Sequence, residues 1–380
     1  MLKLNYFLAD IFILSAEKQP IKLSWRKIEW LLTIHTFNMK KIEIIDYLRG
    51  FSIFTIVLMH LIQSYPIPQI IRTASSFGGA GVHVFILCSG FGLYLSHLNK
   101  PLSYINFLKR RFIKVYIPYI AIILLSACIP CYASSENKFI ELLSHIFLFK
   151  MFNESLEGSL GYQMWFISTI IQFYLLWPIL VKLFMGKHKW YGTASAFLIS
   201  LLWGMLTVLL KTNDMRIWNS FFLQYLWEFI LGMKLAEIYY NRNFPSIKIP
   251  SYRYIIPIAI IGVGLTGITG IKGGWFKIFN DVPSLMGYLS IAILAYKLLP
   301  KIFKKFIIFT NQISYEWYLV HVLIFSCCTY YLPIKSIWIS AIISLTTSYI
   351  TAILYSKLIK MFKTNKKVFL NLELKEKKNV

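Results

Sequence analysis

An arginine and a histidine stand on one face of the first apolar segment of the chain. Arg49 and His60 are eleven residues apart. At about 100° per residue they point within about 20° of each other on an α-helix, roughly 16 Å apart along its axis. A guanidinium binds phosphate, and an imidazole is a suitable general base near neutral pH. This face therefore suits a passage that holds a long, phosphate-bearing donor with its reactive end at His60.

Asp46 precedes Arg49 by three residues, so the two side chains are expected to meet on the helix and Asp46 to orient the guanidinium. One alternative stays open from spacing alone. In it, a buried Asp46–Arg49 pair only orients the helix, and His60 is hydrogen-bonded to a neighbouring helix.

Further polar residues interrupt apolar segments, where a polar group is costly and therefore a functional candidate. For Ser89, which precedes Gly90, close helix packing competes with a role as nucleophile; for His321 the alternative is a hydrogen-bonded helix contact. His83 is assigned to packing or to an interface. The candidates for substrate or secondary roles are Ser89, Trp165, Glu228 and His321.

A basic cluster precedes Pro118, and it fits either a phosphate clamp or a cationic anchor of a membrane helix. It contains Arg110, Arg111 and Lys114. No metal site is predicted, because Cys128-x-x-Cys131 is interpreted as small apolar residues at a helix end.

The composition indicates a membrane protein. Hydrophobic residues make up 57% of the chain and charged residues only 15%, whereas soluble proteins carry about a quarter of charged residues. The net charge is +24, but the Lys and Arg residues lie in short runs between apolar stretches. No basic module is separable from these stretches, which excludes nucleic acid as the expected partner.

Apolar runs of about 20 residues predict an all-α integral membrane protein, a bundle of about ten transmembrane helices. A shorter amphipathic stretch, Phe139 to Phe152, is expected in the interface rather than across the membrane. Lys and Arg concentrate in alternate loops, which predicts an even count, both termini in the cytoplasm and a bacterial-type inner (plasma) membrane. The predicted spans are 43–64, 76–98, 113–132, 162–184, 191–211, 221–240, 252–270, 281–299, 313–332 and 336–360.

Three regions divide the chain. Residues 1–38 are expected to be an N-terminal extension, disordered or upstream of a natural start at Met39. Residues 39–361 form the ten-span domain. Residues 362–380 are a basic cytoplasmic tail.

Five segments, in this order and spacing, resemble the membrane acyltransferase-3 family of integral-membrane O-acyltransferases. The resemblance covers about 41–335. The segments are Ile45-Asp46-Tyr47-Leu48-Arg49-Gly50 followed by His60, Gly81 to Phe85 with Ser89-Gly90-Phe91, Arg110-Arg111 with Lys114 and Pro118, Phe229 with Gly232-Met233, and Ile313-Ser314 with Tyr318 to His321.

The resemblance implies an O-acyltransferase, and more closely an O-acetyltransferase, that uses acyl-CoA (acetyl-CoA) as donor substrate and holds no permanent cofactor. Its acceptor would be a hydroxyl of a cell-surface or lipid-linked glycan, such as an exopolysaccharide of the cell envelope. His60 would act as general base, with Arg49 and the cluster around Arg111 at the phosphates of the donor. The alternative is a polysaccharide transporter or flippase without acyl transfer, which the many spans and the lack of a soluble domain also fit.

Overall fold

The computed structural model describes residues 42–130, 137–185, 190–243, 247–332 and 334–376, with side chains to residue 362. These ranges are almost entirely helical and contain no strand, so the all-α prediction is confirmed. Residues 1–38, their proposed start at Met39, and Cys131 lie outside the described residues.

Sixteen α-helices follow one another in the described ranges. They are α1 (Glu43–Gln63), α2 (Gln69–Ser76), α3 (Gly81–Asn99), α4 (Tyr104–Arg111), α5 (Ile117–Ala127), α6 (Lys138–Ile146), α7 (Trp165–Leu175), α8 (Trp177–Phe184), α9 (Tyr191–Leu209), α10 (Arg216–Asn219), α11 (Leu226–Asn241), α12 (Tyr252–Lys272), α13 (Asp281–Leu298), α14 (Lys301–Gln312), α15 (Ser314–Tyr331) and α16 (Ile337–Glu376).

Five segments of the described chain are long and apolar enough to cross a membrane: α1, Gln69–Asn99, α9, α12 and the Ile337–Phe362 part of α16. A sixth follows if Tyr162–Leu175 and Trp177–Phe184, bent by 61°, count as one span. Four other predicted spans form α5, α11, α13 and α15, with 11, 16, 18 and 18 residues. These helices are short or carry polar residues, so the count of ten stays a prediction.

Local sequence explains two breaks in the helices. Pro178 at the start of α8 has no backbone N–H to continue the preceding helix, and the chain bends between α7 and α8. Between α4 and α5, Phe112–Tyr116 forms a π-helical turn that contains Lys114. Such turns are frequent at functional sites.

The stretch predicted to lie in the interface, Phe139 to Phe152, folds as α6, which has nine residues, and the short 3₁₀ turn Lys150–Phe152. A second 3₁₀ turn, Glu154–Leu156, follows it. A helix of nine residues is about 14 Å long and cannot cross a hydrocarbon core of about 30 Å. At the other end of the chain, α16 continues to Glu376 through most of the region predicted as a tail.

Glycines allow α3 and α11 to pack backbone to backbone. A Cβ atom at Gly90 would lie 2.1 Å from the carbonyl oxygen of Phe229, and one at Gly232 would lie 2.1 Å from that of Leu87. Any larger residue would force the helices apart. This crossing fixes Glu228 on α11 opposite His83 on α3.

Candidate active site

Two histidines from distant parts of the chain meet at the end of α1. Nδ1 of His60 lies 2.7 Å from Nε2 of His321 on α15, and the two rings stack with centroids 5.1 Å apart. Both side chains are buried. The structure thus forms the hydrogen bond to a neighbouring helix that the sequence left as an alternative for His60.

A backbone carbonyl fixes the proton positions in this pair. Nδ1 of His321 lies 2.9 Å from the carbonyl oxygen of Trp317, an acceptor only, so this nitrogen carries the hydrogen. In a neutral His321, Nε2 is then the acceptor, and His60 donates from Nδ1. The lone pair of His60 is left on Nε2, as a general base requires. Neutral rings are expected because a buried charge without a counter-ion is costly.

A polar cleft of about 660 Å³ opens beside His60. Tyr162 lines this cleft, and its ring packs edge-on against the His60 ring at a centroid distance of 5.2 Å. The lining side chains carry hydroxyl, amide and guanidinium groups, which suit a polyhydroxylated ligand. The lining residues are Gln63, Ser64, Gln69, Arg72, Thr73, Ser76 and Tyr162.

A buried lysine holds the loop that ends at Tyr162. Nζ of Lys150 donates to the carbonyl oxygens of Ser159 and Gly161, at 2.7 and 2.8 Å. Burial lowers the pKa of Lys150 to about 7, since the charged amine is poorly solvated there. Burial and the Lys150 charge likewise lower the pKa of His145 to about 3. The position of Tyr162 therefore depends on a desolvated amine.

At the other end of α1, two guanidinium groups lie around one tyrosine. Arg111 is 5.9 Å from the centroid of the Tyr174 ring and 5.5 Å from that of Phe107, and Arg49 lies within electrostatic reach of Tyr174. The Nε atoms of Arg49 and Arg111 are buried and have no hydrogen-bond partner among the described residues. These donors are available to an anionic ligand.

The expected contact between Asp46 and Arg49 is not formed. Asp46 instead accepts a hydrogen bond of 2.8 Å from Nδ2 of Asn311 on α14. Ion pairs within the described residues include His83–Glu228, Lys234–Glu237 and Lys277–Asp214, but none joins Asp46 to Arg49. Spacing of three residues allows a helical pair, but tertiary packing gave Asp46 a neutral partner.

The basic cluster is divided between two environments. Arg111 is half-buried against aromatic rings, whereas Arg110 and Lys114 are exposed on α4 and on the π-helical turn. Only Arg111 of these three shares the surroundings of Arg49 through Tyr174.

Glu228 and Trp165 belong to a second centre. Oε1 of Glu228 is 2.6 Å from Nδ1 of His83, so His83 has a carboxylate partner and is more than a packing residue. Trp165 stacks on Tyr225, with the Arg216 guanidinium 5.1 Å from the indole centroid. Neither Glu228 nor Trp165 touches the His60–His321 pair through a hydrogen bond in the described residues.

Aromatic rings separate the two centres. Successive ring contacts run from His83 to His321 at centroid distances of 5.8, 6.0, 6.0, 5.7 and 6.2 Å. The four intervening rings, here called the aromatic wall, are Tyr225, Trp165, Phe166 and Tyr318. Trp165 is thus a wall residue between the centres.

Ser89 is half-buried beside Gly90 at the crossing of α3 and α11. The close approach of the two backbones there supports the packing interpretation of this Ser-Gly pair.

Sequence reasoning named both His60 and His321 but did not predict that they meet. It also missed Tyr162 and Lys150 at the first centre, and Asp281, which has a carboxylate oxygen within 4.8 Å of ligand atoms of His83 and Glu228 at the second. The signal for Asp281 was faint: an acidic residue at the start of an apolar run reads equally as a loop residue. No local pattern connects positions 261 residues apart.

The family model of the acyltransferase-3 domain, described as an acyltransferase domain, matches residues 42–359. No curated protein and no solved structure gives a significant match to the sequence.

Proposed function

Because this chain belongs to the acyltransferase-3 family of membrane acyltransferases, we propose that it transfers an acyl group from acyl-CoA to a hydroxyl of a cell-surface or lipid-linked glycan, with His60 as general base. Acetyl is the acyl group proposed. The observation that carries the proposal is the chain of hydrogen bonds from Trp317 O through His321 to His60, which leaves the lone pair on Nε2 of His60 beside a polar cleft.

In acyl transfer the acceptor hydroxyl loses a proton and the leaving thiolate gains one. His60 Nε2 takes the proton of the acceptor hydroxyl as its oxygen attacks the thioester carbonyl. The tetrahedral intermediate then collapses, the C–S bond breaks, and the CoA thiolate takes the proton back from His60. His321 is a positioning residue in this scheme, because it holds the His60 ring and its tautomer without touching the substrates.

The donor is assigned to the Arg49 end of α1. Arg49 and Arg111 offer unpartnered guanidinium nitrogens around Tyr174, which suits the phosphates of CoA. His60 lies on the same unbroken helix as Arg49, roughly 16 Å away along the axis. An extended pantetheine arm is long enough to bring its thioester from one end to the other.

The acceptor is assigned to the cleft lined by Tyr162. Its walls offer several hydroxyl and amide groups, and Gln63 and Ser64 directly follow the helical turn of His60. A glycan hydroxyl bound there is within a side chain's reach of the base.

The proposed topology follows the charge pattern: ten spans in an inner (plasma) membrane, both termini in the cytoplasm and the Arg49 end facing the cytoplasm. In that orientation acyl-CoA binds from the cytoplasm and the cleft at His60 opens on the opposite face.

The test is transfer of labelled acetyl from acetyl-CoA to membrane glycan, in vesicles that contain the wild-type chain or its His60→Ala variant. Wild type should transfer label, and His60→Ala should not while accumulating in the membrane to the same level. His97→Ala is the matched control, because His97 packs on Tyr94 and Trp177 away from the cleft.

Two outcomes would contradict the proposal. Full transfer by His60→Ala removes His60 from the mechanism. No CoA-dependent transfer by wild type, together with loss of glycan export in a deletion strain, favours the transporter alternative. Mass spectrometry of the surface glycan from wild-type and deletion strains identifies the acceptor.

A further inference from the structure

We propose that His83, Glu228 and Asp281 form a binding site for a divalent metal ion, Mn²⁺ or Zn²⁺, separate from the His60–His321 pair. One ligand atom from each residue lies within 4.8 Å of the other two. The residues stand in the first turns of α3, α11 and α13, so a bound ion would join three helices. The proposal does not depend on acyl transfer.

Uncompensated negative charge is the first argument. Two carboxylates share this site with a single imidazole, and Glu228 is fully buried. Neither carboxylate forms an ion pair with a lysine or arginine in the described part of the chain. The N-terminal ends of helices stabilise anions only in part. A pair of carboxylates of which one is fully buried needs a larger compensation, which a divalent cation supplies.

An unpartnered oxygen is the second, independent argument. Oε1 of Glu228 contacts His83, but Oε2 is buried and has no hydrogen-bond partner among the residues described. A buried acceptor left without a partner destabilises the folded protein. Coordination of a cation by Glu228 would satisfy this oxygen and remove that cost.

The ligand set indicates the class of metal. Carboxylates favour Mg²⁺, Ca²⁺ and Mn²⁺, while an imidazole favours Zn²⁺ and other transition metals, so one imidazole with two carboxylates fits Mn²⁺ or Zn²⁺. With bonds of about 2.1 Å, neighbouring ligand atoms of a tetrahedral or octahedral site lie about 3.0–3.4 Å apart. On metal binding, His83 Nδ1 and Glu228 Oε1, now 2.6 Å apart, would separate slightly, and the longer distances among the ligand atoms, all within 4.8 Å, would shorten.

Outer contacts already orient the ligands. Nε2 of Gln224 donates to Oδ2 of Asp281 at 2.5 Å, which leaves Oδ1 to point elsewhere. The Tyr225 ring packs on the His83 ring. Metal ligands are commonly held by such partners. A metal at His83 Nδ1 would replace the proton now shared with Glu228, so binding should release a proton.

The test uses the full-length chain in detergent, stripped with a chelator and then titrated with Mn²⁺ or Zn²⁺. Wild type should retain about one ion per chain after desalting, with ¹⁴N coupling from an imidazole in the Mn²⁺ resonance spectrum. Asp281→Asn should weaken binding by at least roughly a hundredfold, and Gln224→Ala by about 10- to 100-fold, the range for outer contacts. Asp214→Asn is the matched control, because Asp214 is 83% exposed and paired with Lys277.

Three results would overturn the site: no ion retained by wild type, equal retention by Asp281→Asn and Asp214→Asn, or a bound Mn²⁺ without ¹⁴N coupling. If Asp281→Asn fails to fold, the coupling in wild type decides, and it must persist in His60→Ala and vanish in His83→Gln. If the unfolding temperature changes with pH but not with added metal, the site binds a proton rather than a metal ion, and the proposal is refuted.

Discussion

The protein contains two histidine centres that differ in the partner of the imidazole. His60 is hydrogen-bonded to a second imidazole, which is itself held by a backbone carbonyl. His83 is hydrogen-bonded to the carboxylate of Glu228, with Asp281 close by. The first arrangement contains no formal charge and leaves a free lone pair, whereas the second concentrates negative charge.

That difference separates their chemistry. A neutral imidazole with a fixed tautomer is a proton acceptor that faces a cleft. An imidazole that is hydrogen-bonded to one carboxylate and lies close to a second belongs to a set of groups that can bind a cation. The aromatic wall between the centres keeps them from sharing a hydrogen-bond network, so each can be altered separately.

Removing the base should have the largest effect. We expect His60→Ala to lower acyl transfer by about 10²- to 10⁴-fold, the usual contribution of general base catalysis. Rates in vesicles of equal protein content measure this loss, with His97→Ala as control. A loss of similar size in His83→Gln but not in His60→Ala would reverse the roles of the two centres.

Removing the positioning residue should have the next largest effect. We expect His321→Ala to lower kcat by roughly a hundredfold, about 2.7 kcal/mol, with KM for both substrates unchanged. When His321→Ala is combined with His60→Ala, kcat should fall almost no further than in His60→Ala alone, because the two rings act as one unit. Additive losses in the double variant would show that His321 acts independently of His60.

Donor binding should be affected at the far end of α1. We expect Arg49→Gln to raise KM for acyl-CoA about tenfold or more, as loss of a charged hydrogen bond costs about 1.5–3 kcal/mol. Initial rates against acyl-CoA concentration give this KM. Arg110→Gln is the matched control, because Arg110 is exposed. If Arg49→Gln instead raises KM for the acceptor, Arg49 binds the acceptor and not acyl-CoA.

The loop beside His60 should respond to pH. Between about pH 7 and the ordinary lysine pKa of 10.5, the unfolded chain holds a proton on Lys150 that the folded chain has released. Stability of the wild type should therefore rise with pH across this window. In Lys150→Met the rise should be smaller, and at neutral pH the lost hydrogen bonds should cost about 1–3 kcal/mol. Thermal unfolding of the wild type and of Lys150→Met in detergent at several pH values tests both expectations. If stability depends on pH identically in the two proteins, Lys150 is not the group responsible.

The smallest effect concerns the aromatic wall. We expect the losses of activity in His60→Ala and His83→Gln to add within about 0.5 kcal/mol in the double variant, because the sites share no contacts. Replacing Trp165, in the middle of the wall, should leave this additivity intact. A coupling above about 1 kcal/mol would mean that the two centres act as one site.

The sequence by itself determined that the protein lies in a membrane and that its structure is helical. So few charges among so many apolar residues can be accommodated only in a bilayer, and helices satisfy their own backbone hydrogen bonds there. The spacing of Arg49 and His60 determined that they share a helix face, because both lie on the unbroken α1. Helical periodicity depends only on neighbouring residues, so it can be predicted from the sequence.

Only the tertiary structure decided which partner each polar side chain received. Asp46 could reach Arg49 along the helix, yet Asn311 from α14 took its oxygen. His60 found His321, and His83 found Glu228, across sequence separations of 261 and 145 residues. Such pairs arise from how helices cross, and glycines such as Gly90 and Gly232 set that crossing by letting backbones touch. Packing of this kind leaves no periodic signal, so the chemistry of both centres emerges only once the helices are assembled.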